Sequence, residues 1–365
     1  MKKYLEILAI VFLTISALTS FAQNKKFTLT GIIHGVKDST LVNLYALDEQ
    51  VILDSAYTKG GKFTLTGHVD QPTICWLRCT NEYATIIVEN TNMQFESPLK
   101  NMVLDHKASG GKEQALLNKL NKLQYPYNKR YRNALDSLQN KKYTDDADKK
   151  RLVDVFNKAQ DSSMVIYVDF GKRNMNSYYG QDIVYRNRKN IHRDTLEELY
   201  KNLSATFKET VKGRAFKTFL YESLADKGKP MIEFEANTFA GKPFKLSSLK
   251  GKYIYLSFGS VGCSPCRMEN KEIARIHERM SNDISFVSFS LDKNIKAWQI
   301  MTKEDGIVWY NVSDMKGEAS KIKILYNVQA IPAAYLIDKQ GVIVEKYEGY
   351  FPGMFDEIER RIKGK

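Results

Sequence analysis

Polar and apolar residues alternate through Lys26-Phe27-Thr28-Leu29-Thr30-Gly31-Ile32-Ile33, a period of two that predicts a half-buried strand ending at Gly35. Similar segments at 41–45, 62–66 and 84–88, with the turn signal Lys59-Gly60-Gly61-Lys62 between them, predict a small antiparallel β-sandwich-like domain over 24–108. After Ser109-Gly110-Gly111 the period lengthens. Ala115, Leu116, Leu120 and Leu123 recur at helical spacing, as do Leu152, Val153, Phe156 and Ala159, so 112–226 reads as a helical region. A further helix is expected through Leu196, Leu199, Tyr200 and Leu203, with Asp194 as its cap and Glu197 three residues on. Lys227-Gly228-Lys229-Pro230 then breaks the pattern and is the expected linker.

Residues 231–365 change character again. A continuous apolar strand at 253–258 leads into a helix at 264–280, then a strand at 284–291 and a helix at 294–302. Two more strands, 333–337 and 342–347, flank the hairpin signal Asp338-Lys339-Gln340-Gly341, and a helix over 355–362 closes the chain. Parallel strands with crossover helices, followed by a hairpin, predict an α/β domain whose mixed sheet is covered on both faces.

The first 22 residues stand apart. Lys2-Lys3 precedes an apolar stretch from Leu5 to Leu18, and Ser20-Phe21-Ala22 places small residues where a signal peptidase reads. The stretch is shorter than the ~20 residues that span a bilayer. A signal peptide over 1–22, cleaved after Ala22, and an exported mature protein are therefore expected. No cysteine follows the apolar run, so no lipid anchor is indicated.

Composition narrows the classes. The chain has 365 residues, too many for one ordinary domain, and 43% are hydrophobic, which suits a folded protein. The net charge of +13 is concentrated in 112–230, where 25 Lys or Arg face 15 Asp or Glu. The acids are interspersed and no recognition motif accompanies the cations, so a solvated helical surface is expected and no nucleic acid. Four cysteines are too few to form a disulfide scaffold. Cys75 and Cys79 would share one face of a strand about 13 Å apart, beyond bridging distance, and are expected as buried free thiols.

The remaining two, in Cys263-Ser264-Pro265-Cys266, directly follow the strand at 253–258. Placed on the first turn of a helix, they are close enough for a reversible disulfide. Unpaired N–H groups at the helix start favour the thiolate of Cys263, the expected nucleophile, leaving Cys266 to resolve the mixed disulfide. Arg267 is a candidate further positive charge. Glu269 lies on nearly the same helical face as Cys266. It is either a buried proton-exchange partner for that thiol or a solvent-facing first-turn glutamate. Pro332 is either a turn residue or a cis-proline exposing the backbone of Ile331 to an extended substrate. A structural zinc site needs about four ligands, and five scattered histidines with one cysteine pair do not supply them. No metal and no cofactor are expected.

With these motifs in view, 231–365 resembles the TlpA/ResA-type branch of the thioredoxin-like superfamily. The resemblance runs through Leu249-Lys250-Gly251-Lys252-Tyr253, Cys263-Ser264-Pro265-Cys266-Arg267-Met268-Glu269 and Val287-Ser288-Phe289-Ser290-Leu291-Asp292. It continues through Ala297-Trp298, Trp309-Tyr310-Asn311-Val312-Ser313-Asp314 and Leu325-Tyr326-Asn327-Val328-Gln329-Ala330-Ile331-Pro332. It implies an attacking Cys263, a resolving Cys266, a cis-Pro332 and an active-site role for Glu269. Members usually carry tryptophans at the strand end and immediately before the first cysteine. This chain has Gly259 and Gly262 there, which suggests a more exposed Cys263 and a looser loop. The expected function is that of a periplasmic thiol–disulfide oxidoreductase. It would reduce or exchange disulfides of exported proteins and be kept reduced by a membrane-bound electron donor. The alternative is a non-catalytic envelope binding or assembly protein on the same scaffold.

Overall fold

The computed structural model describes residues 26–364, so the expected signal peptide lies outside the described residues. The chain forms two compact units. The first contains residues up to Leu47, Val51–Phe170 and Ser177–Tyr179; the second contains Asp48–Gln50, Gly171–Asn176 and the chain from Gly180 onward.

The first unit begins with β1 (Phe27–His34), β2 (Leu41–Ala46), β3 (Val51–Tyr57), β4 (Lys62–Gly67), β5 (Thr73–Cys79), β6 (Glu82–Val88) and β7 (Asn92–Pro98). A short α1 (Met102–Asp105) and β8 (Lys107–Ser109) follow. The strands form two sheets, ordered β4-β1-β7-β8 and β3-β2-β5-β6. Strict alternation turns Phe27, Leu29, Leu44, Leu65, Leu77 and Ile86 into one core, each wholly buried. One pairing departs from the antiparallel expectation: β1 runs parallel to β7, the chain having passed through the other sheet in between. Cys75 and Cys79 are not disulfide-bonded to each other and are buried on one face of β5. Helices α2 (Lys112–Gln139) and α3 (Asp146–Arg173) follow, with the rings of Tyr131 and Phe156 4.6 Å apart between them.

The second unit contains α4 (Tyr178–Arg186) from Gly180 on, α5 (Arg193–Lys201), α6 (Ala205–Lys208) and α7 (Val211–Tyr221). His192, not Asp194, occupies the N-cap of α5, and Asp194 sits inside the first turn, where its charge complements the helix dipole. The Lys227–Pro230 segment is not a free linker. Gly228 N–H donates to the Ile343 carbonyl and Ile343 N–H to that of Lys229, at 2.8 and 2.9 Å.

The α/β part then runs β9 (Glu235–Thr238), β10 (Pro243–Lys245), β11 (Tyr253–Gly259), α8 (Ser264–Met280), β12 (Ile284–Ser290), α9 (Ile295–Glu304) and β13 (Tyr310–Ser313). After α10 (Lys321–Leu325) come β14 (Ala333–Ile337), β15 (Ile343–Glu348) and α11 (Met354–Ile362). Their sheet has the order β10-β9-β13-β12-β11-β14-β15, with β11 inside it, parallel to β12 and antiparallel to β14. Being covered on both faces, β11 is apolar almost throughout. Ile254, Leu256 and Phe258 enter one core with Phe234, Phe289 and Tyr326, while Tyr255 enters the other with Ile273 of α8 and Phe355 of α11.

Phe258 is the residue that anchors the end of β11, its ring 5.2 Å from that of Phe289 and 5.5 Å from that of Tyr326. Phe258→Ala should cost about 3–5 kcal/mol. Phe351→Ala, at a position 45% exposed, should stay within about 0.5 kcal/mol. Urea unfolding followed by Trp298 and Trp309 fluorescence in a Trp76→Phe background measures both.

Candidate active site

The site forms where two periods meet. Side chains of β11 alternate, so Tyr255, Ser257 and Gly259 share the face that α8 covers. On α8, Cys266, Glu269 and Ile273 recur at helical spacing, and all three are about 1% exposed. Gly259 lies against Cys266: a Cβ added there would stand 3.2 Å from the Cys266 Cβ and 3.5 Å from its sulfur. Ser257 and Tyr255 meet Glu269. The Ser257 hydroxyl donates to its Oε2 at 2.7 Å, and the Tyr255 hydroxyl to its Oε1 at 2.5 Å.

Cys263 is the N-cap of α8, with φ −99° and ψ 100°, and Pro265 occupies the first turn, where a missing N–H costs nothing. The Cys263 sulfur accepts from the Cys266 backbone N–H at 3.2 Å, one of the donors the helix leaves unpaired. The two cysteines form a disulfide with Cα atoms 5.3 Å apart. Cys263 is half-buried and Gly262, beside it, faces open space. The glycine-containing loop is tethered at three points. The Gly259 carbonyl accepts from Leu291 N–H at 2.8 Å, the Ser260 carbonyl from Cys263 N–H at 3.1 Å, and Val261 N–H donates to the Asp292 carboxylate.

The Ile331–Pro332 peptide is cis. Register places it at this same end of the sheet, because Phe258 of β11 pairs with Ala333, the first residue of β14. The Pro332 carbonyl accepts from Gly349 N–H at 2.8 Å. Cys263, Cys266 and Glu269 therefore converge on one helix start, with Ile331 and Pro332 on the segment entering the neighbouring strand.

Electrostatics separates the charged residues into different roles. Burial pushes the Glu269 carboxyl up to about 7, against the Tyr255 and Ser257 hydrogen bonds, which favour its ionised form. Glu269 is therefore not the solvent-facing glutamate of the simpler reading; it can hold or release a proton near neutral pH. The Tyr255 hydroxyl is itself raised well above its ordinary value by burial and by the nearby Glu269 carboxylate. Arg267 does not supply a free cation to the cysteines. Its Nε donates to both carboxylate oxygens of Asp305 at 2.6 and 2.7 Å, and its guanidinium pairs with Glu304 at 2.8 Å. Among the groups sequence reasoning did not single out, Tyr255 and Ser257 had a visible signal: polar tips at alternate positions of an apolar strand. Asp305 had none, standing 38 positions from Arg267.

Comparison with known proteins divides the chain as its composition does. Residues 227–346 match the AhpC/TSA family, and residues 27–117 match a domain of unknown function, DUF4369. The thiol–disulfide oxidoreductase ResA of Bacillus cereus is 31% identical over 137 residues, which are 36% of this chain and 78% of that protein. The thioredoxin-like protein YneN of Bacillus subtilis is 26% identical over 125 residues, 33% of this chain and 71% of that protein. A thiol:disulfide interchange protein from Bacteroides sp. aligns at 23% identity with a TM-score of 0.35, covering 38% of this chain and 92% of that one.

The raised Glu269 carboxyl makes stability depend on pH in a definite direction. Folding favours its protonated form, so this contribution is complete below the ordinary value of 4.5 and is lost as pH rises through 7. The group should cost the oxidised protein about 3 kcal/mol between pH 4.5 and pH 8, and Glu269→Gln should flatten that slope. Urea unfolding of both proteins across the range tests this; parallel slopes would contradict it.

Proposed function

Because the chain belongs to the ResA-type thiol–disulfide oxidoreductases, whose chemistry occupies its carboxyl-terminal domain, we propose that Cys263 and Cys266 carry two electrons to disulfides of exported proteins. The observation that supports this reading best is the convergence of a half-buried sulfur at a helix start, a buried sulfur one turn inside, and a buried carboxyl able to titrate near neutrality.

In the reductive direction, the Cys263 thiolate attacks one sulfur of a substrate disulfide and the other leaves as a thiolate, forming a mixed disulfide. The helix start stabilises the attacking anion. Cys266 then gives its proton to Glu269 and attacks the Cys263 sulfur. The second substrate sulfur leaves, and the enzyme disulfide closes. Protons return to the two substrate thiolates, so the substrate gains two electrons and the enzyme loses two. Regeneration requires a two-electron thiol donor, proposed here as membrane-bound. The extended substrate segment would lie along the backbone of Ile331 and Pro332, adding a short strand pairing beside Cys263. The export expected from residues 1–22 would place this exchange in the periplasm.

Purified protein with dithiothreitol should reduce insulin, and Cys263→Ser should lower the rate at least 1,000-fold, on the order of losing an essential nucleophile. Cys266→Ser should instead accumulate dithiothreitol-sensitive adducts on Cys263 in cells. Loss of neither activity nor adducts on removing Cys263 would sink the assignment. Glu269→Gln should slow resolution of the mixed disulfide by about 100-fold and leave the first attack nearly unchanged, as stopped-flow quenching would separate.

A further inference from the structure

Asp292 is wholly buried, at 0% exposure, two residues beyond the end of β12. Its two carboxylate oxygens accept from Val261 N–H at 3.1 and 3.2 Å, and Oδ2 also accepts from the Ser290 hydroxyl at 2.9 Å. Val261 stands two residues before Cys263. The same loop is held by Leu291 N–H on the Gly259 carbonyl, so consecutive residues, Leu291 and Asp292, grip it at two consecutive turns of its path. Gly262 faces open space, so the loop is held around it: the Val261 side chain packs against the cluster of Trp298, Met301 and Ile307, and its N–H is fixed by Asp292.

Resting on the exchange reading of Cys263, we infer that Asp292 is a positioning residue for this cysteine, acting through the Val261 backbone and through its own buried charge. A carboxylate beneath the loop opposes the formation of a second anion at Cys263. The cation that acts on Asp292 is Arg267 of α8, which is already bound to Asp305 and Glu304 and offsets little of that charge. Burial raises the Asp292 carboxyl and outweighs the hydrogen bonds from Val261 and Ser290 and the charge of Arg267, which favour its ionised form. The helix start thus favours the Cys263 thiolate while Asp292 restrains it, and the two together set how readily Cys263 attacks.

Two variants separate charge from tether. Asp292→Asn keeps an oxygen for Val261 N–H and removes the charge, whereas Asp292→Ala removes both. The readout is the pH profile of Cys263 alkylation by iodoacetamide in the reduced full-length protein, followed by mass spectrometry, with thermal unfolding as the check on folding. D292N should shift the profile downward by about one pH unit. D292A should lower the rate of insulin reduction by about tenfold, and D292N should restore it. A D292N profile that superimposes on wild type or moves upward overturns the inference, as does a D292A rate equal to wild type. If D292N does not yield folded protein, Ser290→Ala carries the charge test: losing one donor favours neutral Asp292 and should move the profile downward by less, and an unmoved profile overturns the inference. Alkylation needs no protein substrate. Failure of wild type to reduce insulin would therefore refute the functional reading, and an unmoved alkylation profile would refute only the role of Asp292.

Discussion

The site depends on one contact, the burial of the Glu269 carboxyl between α8 and the polar tips of Tyr255 and Ser257. A carboxyl removed from water is costly unless it is neutral or hydrogen-bonded. Here it accepts two hydroxyl donors and titrates near neutrality, so both solutions are used in turn. The same contact fixes the rotation of α8 on β11. With Glu269 held at Tyr255 and Ser257, Cys266 one turn earlier must face Gly259, and the absence of a side chain at 259 lets the helix come that close. Cys263 then falls at the helix start, and the asymmetry between a half-buried and a wholly buried cysteine follows from the geometry.

Around that contact the charges are arranged so that few act at long range. Arg267, next to Cys266 in sequence, is tied to Asp305 and Glu304. Asn270 donates to Asp305 as well, at 3.1 Å, so this carboxylate joins the first turns of α8 to the end of α9. Beside the two sulfurs stand the helix start, with the Cys266 N–H on the Cys263 sulfur, and the buried Glu269 on the same helical face as Cys266.

Much of this was legible in the sequence, and what was not had identifiable causes. The strand at 253–258, the helix after Cys263 and the hairpin around Gly341 follow from periods and turn residues that local chemistry sets. The helical spacing of Cys266 and Glu269 was readable, but whether Glu269 faced water or protein was not, because that depends on which strand α8 covers. The parallel pairing of β1 with β7 was invisible for the same reason, since both strands alternate equally well in either direction. The Lys227–Pro230 segment reads as a linker from its Gly and Pro, yet its backbone is hydrogen-bonded at the start of β15, a partner more than a hundred residues away. Tertiary hydrogen bonds of this kind leave no local pattern. The glycines at 259 and 262 suggested a loose loop, and its tethers include Leu291 and Asp292, just beyond the end of another strand.

The proposed exchange turns on proton transfer between the buried Glu269 and Cys266 near neutral pH. Carboxyl carbon NMR of selectively labelled glutamate, with Glu269→Gln to assign the resonance, tests it most directly. A midpoint near 7 in the oxidised protein that moves when the disulfide is reduced is the result the structure predicts. A midpoint in the ordinary range for glutamate, unchanged between the two redox states, would contradict it.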